Sequence, residues 1–580
     1  MFDMPELIGS SSIIVPASGS TRRSIVLKPE YSDAQLSLAD APDGVWLDER
    51  MLYVSSRVVC SAAMKVCAKH GEEESVLCVD IVKDDSLHDV PPADLEKPGW
   101  KLFYHDEFNG PELDPEHWCP YYLRGWTTDE KAKADYSFRE GCLVIACSEG
   151  REPWSRQDGK HRVSSLQTFE RKHLHRFGQV SGARDLMDFD GFTTQYGYFE
   201  IRARFPDTGD GSHFAWWMIG VQDDQNGFAH VDGQLYPIGE YSNQTAEYDI
   251  IEQSLDRASE EFDINCWRPV IHPNGSRDIQ YLWVPPAQIC KNAASEFHRY
   301  GFEWDENGTK FYLDGELVQQ TDRTPPYRMM TLLSVYGGCK DGTVGMGPDR
   351  GIYPKEVLID YFRVYKKDEA PKATSVRINP DKPVRCLYIP QSKVAEYQMQ
   401  AQVFDQFDHE LTGEKVRWHL SKDISGTVPL SEKEQKEKKV FIESDSGKLY
   451  VYSNAEEATE LFVTAVHQSG RLATHHIRLS RNTPKPMCLR FENAKVALKA
   501  GNSMHIKANL FDQYGNVLNE MVRYQISQDI AGNKMADAQD ITLKTDGTVF
   551  ASANAVQGNK YVITAHAADL ICACIVKIEC

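Results

Sequence analysis

The sequence predicts an all-β chain, with a concave two-sheet jelly roll at its centre and smaller β-sandwich modules on either side. Three observations carry this. The C-terminal third repeats itself. The central stretch changes composition and holds nine of the eleven tryptophans, between Trp100 and Tyr365. Nearly everywhere, apolar and polar residues alternate along short segments broken by Asp, Asn and Gly turns. At 580 residues the chain exceeds the size at which one hydrophobic core keeps growing, so several domains are expected.

The repeat sets the first boundaries. VFDQFDHELTGEKVRWHLS from Val403 matches LFDQYGNVLNEMVRYQIS from Leu510 in residue type and spacing. Each copy has an alternating strand ending in Phe-Asp-Gln-aromatic, a polar turn, and a second strand carrying Trp418 or Tyr524. Each also closes alike, in GKLYVYSNAEEATELFVTAVHQSG and GTVFASANAVQGNKYVITAHAAD. Two independent sandwich modules follow, over 370–482 and 484–580, with proline-marked linkers around Pro371 and Pro484. The N-terminal stretch ends in the same manner, in RMLYVSSRVVCSAAMKVCAKHGEEES and the strand VLCVDIV, which suggests a shorter third copy over 1–95. These modules resemble bacterial immunoglobulin-like domains, a resemblance that implies a fold and no ligand. The run SEKEQKEKKV from Ser431 reads as a solvated loop or helical turn.

Charge and cysteine usage exclude several classes. The formal net charge of −21 is spread along the chain with no basic stripe, which argues against nucleic acid as a partner. No apolar stretch reaches the length of a membrane span. The opening MFDMPELIGSSS lacks the basic end and apolar core of a signal peptide, so an extracellular or cell-surface protein with its leader absent from this chain is expected. The 14 cysteines are scattered without framework spacing and mostly sit among strand residues, as at Cys67 and Cys78. They read as buried thiols, Cys572 and Cys574 included. His173 and His175 form an HxH pair with no third ligand nearby in sequence.

The central domain, 97–367, is nearly all β. YGYFEIRARF from Tyr196, SHFAWWMIG from Ser212 and FHRYGFEWDENGTKFYLDGELV from Phe297 alternate apolar and polar residues, and DENG and LDGE read as hairpin turns. PPAQICKNAASEF is the one segment that looks helical. This domain is too long for a single small sandwich, and two larger antiparallel sheets fit it.

AEYDIIEQ is the segment that carries chemistry. On a strand Glu247 and Asp249 share a face, Tyr248 and Ile250 point to the other, and Glu252 turns away. One extra residue, a β-bulge, restores Glu252 to the face of the other two. Three carboxylates in a row cannot all stay ionised, so at least one pKa must rise, giving an acid and a base in one cleft. Cleavage of a glycosidic bond requires that pairing.

Six blocks in order now resemble glycoside hydrolase family 16, the laminarinase, lichenase, agarase and carrageenase group. They are WKLFYHDEFNG, YGYFEIRARFP, SHFAWWMIG, EYDIIE, FHRYGFEWDENGTKFYLDG and LIDYFRVYKK. The resemblance implies a concanavalin A-like jelly roll and a retaining endo-β-glycanase acting on a β-glucan or β-galactan. Glu247 is then the nucleophile, Glu252 the general acid/base, and Asp249 the hydrogen-bonded neighbour that tunes the nucleophile. A non-catalytic glycan-binding protein and a transglycosylase are the alternatives.

Sugars present apolar faces, so Trp126, Trp216, Trp217, Trp267 and His272 are candidate subsite residues, with Arg268 close by. One of the adjacent Trp216 and Trp217 must face the interior. His213 stands where the glucanase pattern WPAFWML has its first tryptophan, which leaves galactans and host glycans open beside β-glucans. No cofactor is needed for the chemistry. The resemblance implies a structural calcium partly held by Asp360. The expected partner is a polysaccharide, and a monomer is expected.

Overall fold

The computed structural model describes the chain apart from residues 1–5, 8–11, 89–96, 109–112, 156–161, 171–188, 206–211, 221–226, 239–246, 254–260, 272–276, 284–287, 338–351 and shorter stretches. His173, His175 and His272 lie outside the described residues. Among the described residues no helix is long and apolar enough to cross a membrane, and the described cysteines are free thiols.

The repeat seen in sequence is a repeat of topology. In the last module a four-stranded sheet runs Lys495–Lys499, Leu570–Glu579, Lys560–Ala567, Arg523–Ser527, and its first two strands are parallel. The preceding module has Cys386–Tyr388, Leu472–Ser480, Glu460–His467, Val416–Ser421, again with the first pair parallel. The N-terminal stretch arranges Ser12–Ser18, Glu73–His88, Ala62–His70, Gln35–Ala39 in the same way. Each unit pairs an early strand with its last and has its own core, centred on Val66 and Val79, on Leu420 and Val463, and on Val549 and Ile563. Cys572 and Cys574 alternate on the terminal strand and are buried. The Ser431 run forms a short helix, Glu432–Lys438, opened by a capping box between Ser431 and Glu434, with no buried residue.

The centre is a jelly roll of two packed sheets. One has eight strands and is built around Lys355–Lys367 and Gly197–Arg204; the other has seven and is built around Met329–Gly337, Ser212–Gly220 and Glu247–Gln253. Phe199, Ile201, Phe302, Ile359 and Phe362 of the first meet Phe214, Trp216, Met218, Tyr248 and Leu333 of the second in one core. Trp216 is completely buried there, which corrects its assignment as a subsite: the indole stacks between sheets and cannot reach a ligand. The segment read as helical is also corrected. Gln288–Ile289 is a short strand paired with Glu261–Phe262, and Cys290 and Ala293 drop into the core. An edge strand beside Pro285 and Pro286 satisfies its backbone by pairing, where a helix would turn part of this apolar set to water.

The flanking modules are not loosely strung. Tyr53 of the N-terminal unit is buried and donates to Asp360 Oδ2 at 2.8 Å, and Arg202 Nη1 donates to the same oxygen at 2.9 Å. Trp46 stacks on Tyr53 at 5.1 Å and lies against Gly141, where a Cβ would fall 2.3 Å from the indole. Glycine is required there both by its φ of +72° and by this approach. On the other side of the roll, Lys560 of the last module reaches Asp114 at 2.8 Å and Glu116 at 2.6 Å. Tyr121 donates to Asp529 at 2.7 Å, and Ile530, Ala531, Val562 and Ile575 share a core with Tyr121, Tyr122, Trp154 and Trp217.

Candidate active site

The site is built on the strand Glu247–Gln253, whose register slips between Asp249 and Glu252. Against the neighbouring strand, Glu247 pairs with Ile219, Asp249 with Trp217, Ile251 with Trp216 and Glu252 with Ala215. Ile250 is the extra residue. Tyr248, Ile250 and Ile251 all enter the intersheet core with Trp216, while Ala215, Trp217 and Ile219 line the outward face. Glu247, Asp249 and Glu252 therefore stand on the outward face together, and the bulge is what puts Glu252 there.

Burial and charge then separate the three carboxylates. Glu247 and Asp249 are buried at 8% and 6% relative exposure, whereas the Glu252 side chain keeps 29%. Burial, with the charges of Glu252 and Glu247 nearby, pushes the Asp249 carboxyl well above the usual carboxylate range, and its hydrogen bond to Glu247 acts in the same direction. The protonated form of Asp249 is thereby favoured. In that form Asp249 can donate to Glu247 through the hydrogen bond between them, which lessens the repulsion within the row.

Glu252 has its own partners. Asn265, opposite Asp249 on the next strand, donates from Nδ2 to Glu252 Oε2. His213 Nε2 lies 3.7 Å from Glu252 Oε1, and His213 Nδ1 is 2.5 Å from the carbonyl oxygen of Gln253. Asp263 is paired with Glu252 in register. Sequence reasoning missed Asn265 and Asp263. In EFDINCW the polar Asp263 and Asn265 alternate with Phe262, Ile264 and Cys266, which enter the core, so their face was open to the period-two reading.

The remaining candidates divide. Trp217 lies on the outward face with Nε1 donating to Ser334 at 3.0 Å, but it is 4% exposed and Tyr122 packs edge-on against it at 6.3 Å. It is a floor under that wall, not an open platform. Trp267 sits opposite Glu247 in register and Arg268 opposite Gln280. Trp126 closes a 3-10 turn, Arg124–Trp126. The wall that carries this turn is held by Arg124 Nε on Glu170 Oε2 at 2.9 Å, both residues being buried.

No described residue set fits the calcium implied for Asp360. Its Oδ2 already accepts from a guanidinium and a phenol, and a cation there would face Arg202 in a buried site. Asp114, Glu116 and His117 also converge, yet the Lys560 ammonium occupies the space between the two carboxylates.

Residues 238–351 match the family model described as "Glycosyl hydrolases family 16". The glucan endo-1,3-beta-glucosidase A1 of Niallia circulans is 25% identical over 318 residues, covering 50% of this chain and 41% of that protein. The beta-glucanase of Rhodothermus marinus is 26% identical over 292 residues, covering 46% of this chain and 86% of that protein. Among solved structures, the GlcNAcα1-4Gal-releasing endo-β-galactosidase from Clostridium perfringens covers 80% of this chain and 99% of its own, at 24% identity and a TM-score of 0.40. The match therefore spans about two-fifths of the Niallia protein and most of the Rhodothermus one. The stretch that matches glycosyl hydrolases family 16 is the one that holds the bulged carboxylate strand, Glu247–Gln253.

Proposed function

We propose that the chain is an endo-acting, retaining glycoside hydrolase of a β-linked polysaccharide. The observation that carries this is the bulge, which sets Glu247, Asp249 and Glu252 on one outward face, with the Asp249 carboxyl pushed upward by burial and by its two neighbours. In the first step Glu247 attacks the anomeric carbon as Glu252 protonates the departing glycosidic oxygen. In the second, Glu252 takes a proton from water as that water displaces Glu247. Asp249 donates to Glu247 in both, restraining the carboxylate and withdrawing charge when the glycosyl ester breaks. Trp267 and Trp126 are proposed as sugar-stacking residues of the cleft.

His213 in place of a tryptophan supports a polymer other than plain β-1,3-glucan, with galactans and host glycans as the leading classes. Such polymers are met outside the cell, so an extracellular or cell-surface site of action is part of the proposal. The test is reducing-end release from a panel of β-glucans, agarose, carrageenan, porphyran, xyloglucan and mucin-type glycans. A ladder of oligosaccharide products supports endo-hydrolysis. Binding without new reducing ends, by a chain with all three carboxylates intact, would make it a glycan-binding protein instead.

A further inference from the structure

The hydrogen bonds of His213 fix more than its position. A carbonyl oxygen only accepts, so the Nδ1 that meets the Gln253 carbonyl must carry hydrogen, and the neutral ring then has its lone pair on Nε2. That nitrogen faces Glu252 Oε1 at 3.7 Å, longer than a hydrogen bond, so proton sharing requires the glutamate to turn toward it. The other oxygen, Oε2, takes the Asn265 amide hydrogen, so Oε1 is the oxygen placed to bear the acidic proton. His213 is buried at 8% relative exposure, so few waters compete for Nε2.

We propose that His213 and Glu252 hold one exchangeable proton between them, and that the imidazole thereby sets the pH above which Glu252 no longer works as the acid. This deepens the glycosidase reading and rests on it for the role of Glu252. His213 is a positioning residue: it touches Glu252, and Glu252 touches the glycosidic oxygen. With the proton on Glu252, Oε1–H donates to Nε2; with the proton on His213, Nε2–H donates to Oε1. When the glycosidic C–O bond breaks and the Glu247–carbon bond forms, the shared proton departs on the new hydroxyl, leaving neutral imidazole and carboxylate. The water that cleaves the glycosyl ester returns one proton to the pair.

The surrounding groups favour this coupling. Among the described residues, the strand carrying Glu252 presents that carboxylate, the next strand presents Asp263, and the strand on the other side presents the Tyr336 ring at 5.4 Å. Burial lowers the proton affinity of the ring, while the charges of Glu252 and Asp263 raise it. A proton that two touching sites share belongs to the pair, so the pH at which it is lost depends on both groups.

The test is nitrogen-15 NMR of histidine-labelled full chain across pH, beside the pH profile of kcat/KM. The His213 signals are identified by their loss in His213→Gln. The Nε2 signal is expected to titrate with the midpoint of the high-pH limb of activity. In Glu252→Gln that midpoint falls by about one pH unit or more, because a neighbouring negative charge is gone. In His213→Gln the high-pH limb of activity moves down by a similar amount, which a merely structural histidine would not cause. An Nε2 signal indifferent to Glu252→Gln overturns the pairing, and so does a His213→Gln enzyme with an unmoved limb. If the wild-type chain cleaves no glycan, the NMR result alone decides the pairing, and the silence counts against the glycosidase reading.

Discussion

Replacing Asp249 by asparagine and by alanine separates its proton from its shape. Asp249 is buried and hydrogen-bonded to Glu247, and burial with the two neighbouring carboxylates pushes its carboxyl upward, which favours the neutral form. Alanine removes a donor to a carboxylate, an interaction worth about 1.5–3 kcal/mol, so kcat/KM should fall by about 10- to 150-fold. Asparagine keeps an N–H donor and is neutral like the native acid, so it should lose less than about tenfold by the same reckoning. Stability should move the other way. A carboxyl with a raised folded-state pKa binds a proton that the unfolded chain releases above its ordinary value of about 3.9. Its contribution therefore falls as pH rises from that value toward the folded one. Asp249→Asn lacks this slope and should be the more stable protein at pH 7, with the advantage shrinking as pH approaches 4. Urea unfolding from pH 4 to 8, with kcat/KM on whichever glycan is cleaved, measures both. An asparagine variant as slow as alanine, or a wild-type stability curve parallel to that of the variant, would show that Asp249 is ionised in the folded state and refute the reasoning.

Trp216→Ala should cost about 3–5 kcal/mol in denaturant unfolding, as for other buried aromatics, with catalytic loss only in proportion to unfolding. Trp217→Ala should slow cleavage at temperatures where it is still folded. Lys560→Ala leaves Asp114 and Glu116 side by side without their cation and should lower stability by about 1–3 kcal/mol, read as a lower Tm and faster proteolysis of the last module. Burial alone would raise the Asp114 carboxyl, but His117 and Lys560 together outweigh it and hold the group below the usual carboxylate range, so its share of stability is complete above about pH 4 and is lost as pH falls through the depressed value. Chelator should leave Tm unchanged, because Arg202 occupies the side of Asp360 where a cation would sit. Arg202→Ala should cost about 3–5 kcal/mol by exposing a buried charge without its partner; a Tm that drops with chelator in the wild type contradicts this.

What could be read in advance divides by range. Alternation along AEYDIIEQ placed Glu247 and Asp249 on one face and required a bulge for Glu252, because those rules act within a few residues. The matching strand order of the two C-terminal four-stranded sheets was foreshadowed in sequence, because a repeat shows twice. Alternation also said that one of Trp216 and Trp217 faces inward, but only the register against Ile251 and Asp249 says which. The Asp360 assignment failed because Tyr53, which fills the position, lies 307 residues away. The clamp from Lys560 to Asp114 spans 446 residues, and no local pattern announces such a pair. The Gln288–Ile289 strand read as helix because a short segment with Ala, Cys and Ile has no period of its own until a neighbour offers it hydrogen bonds.

The most direct measurement of the central claim is the anomeric configuration of the first product, followed by proton NMR within minutes of adding enzyme, before mutarotation mixes the anomers. Displacement by Glu247 and then by water inverts the anomeric carbon twice, so the product should carry the β configuration of the substrate. In parallel, Glu252→Gln should be partly rescued by a substrate whose leaving group needs no proton, while Glu247→Ala should not. A first product in the α configuration, or a Glu247→Ala variant that still forms β product, would contradict the assignment of both glutamates.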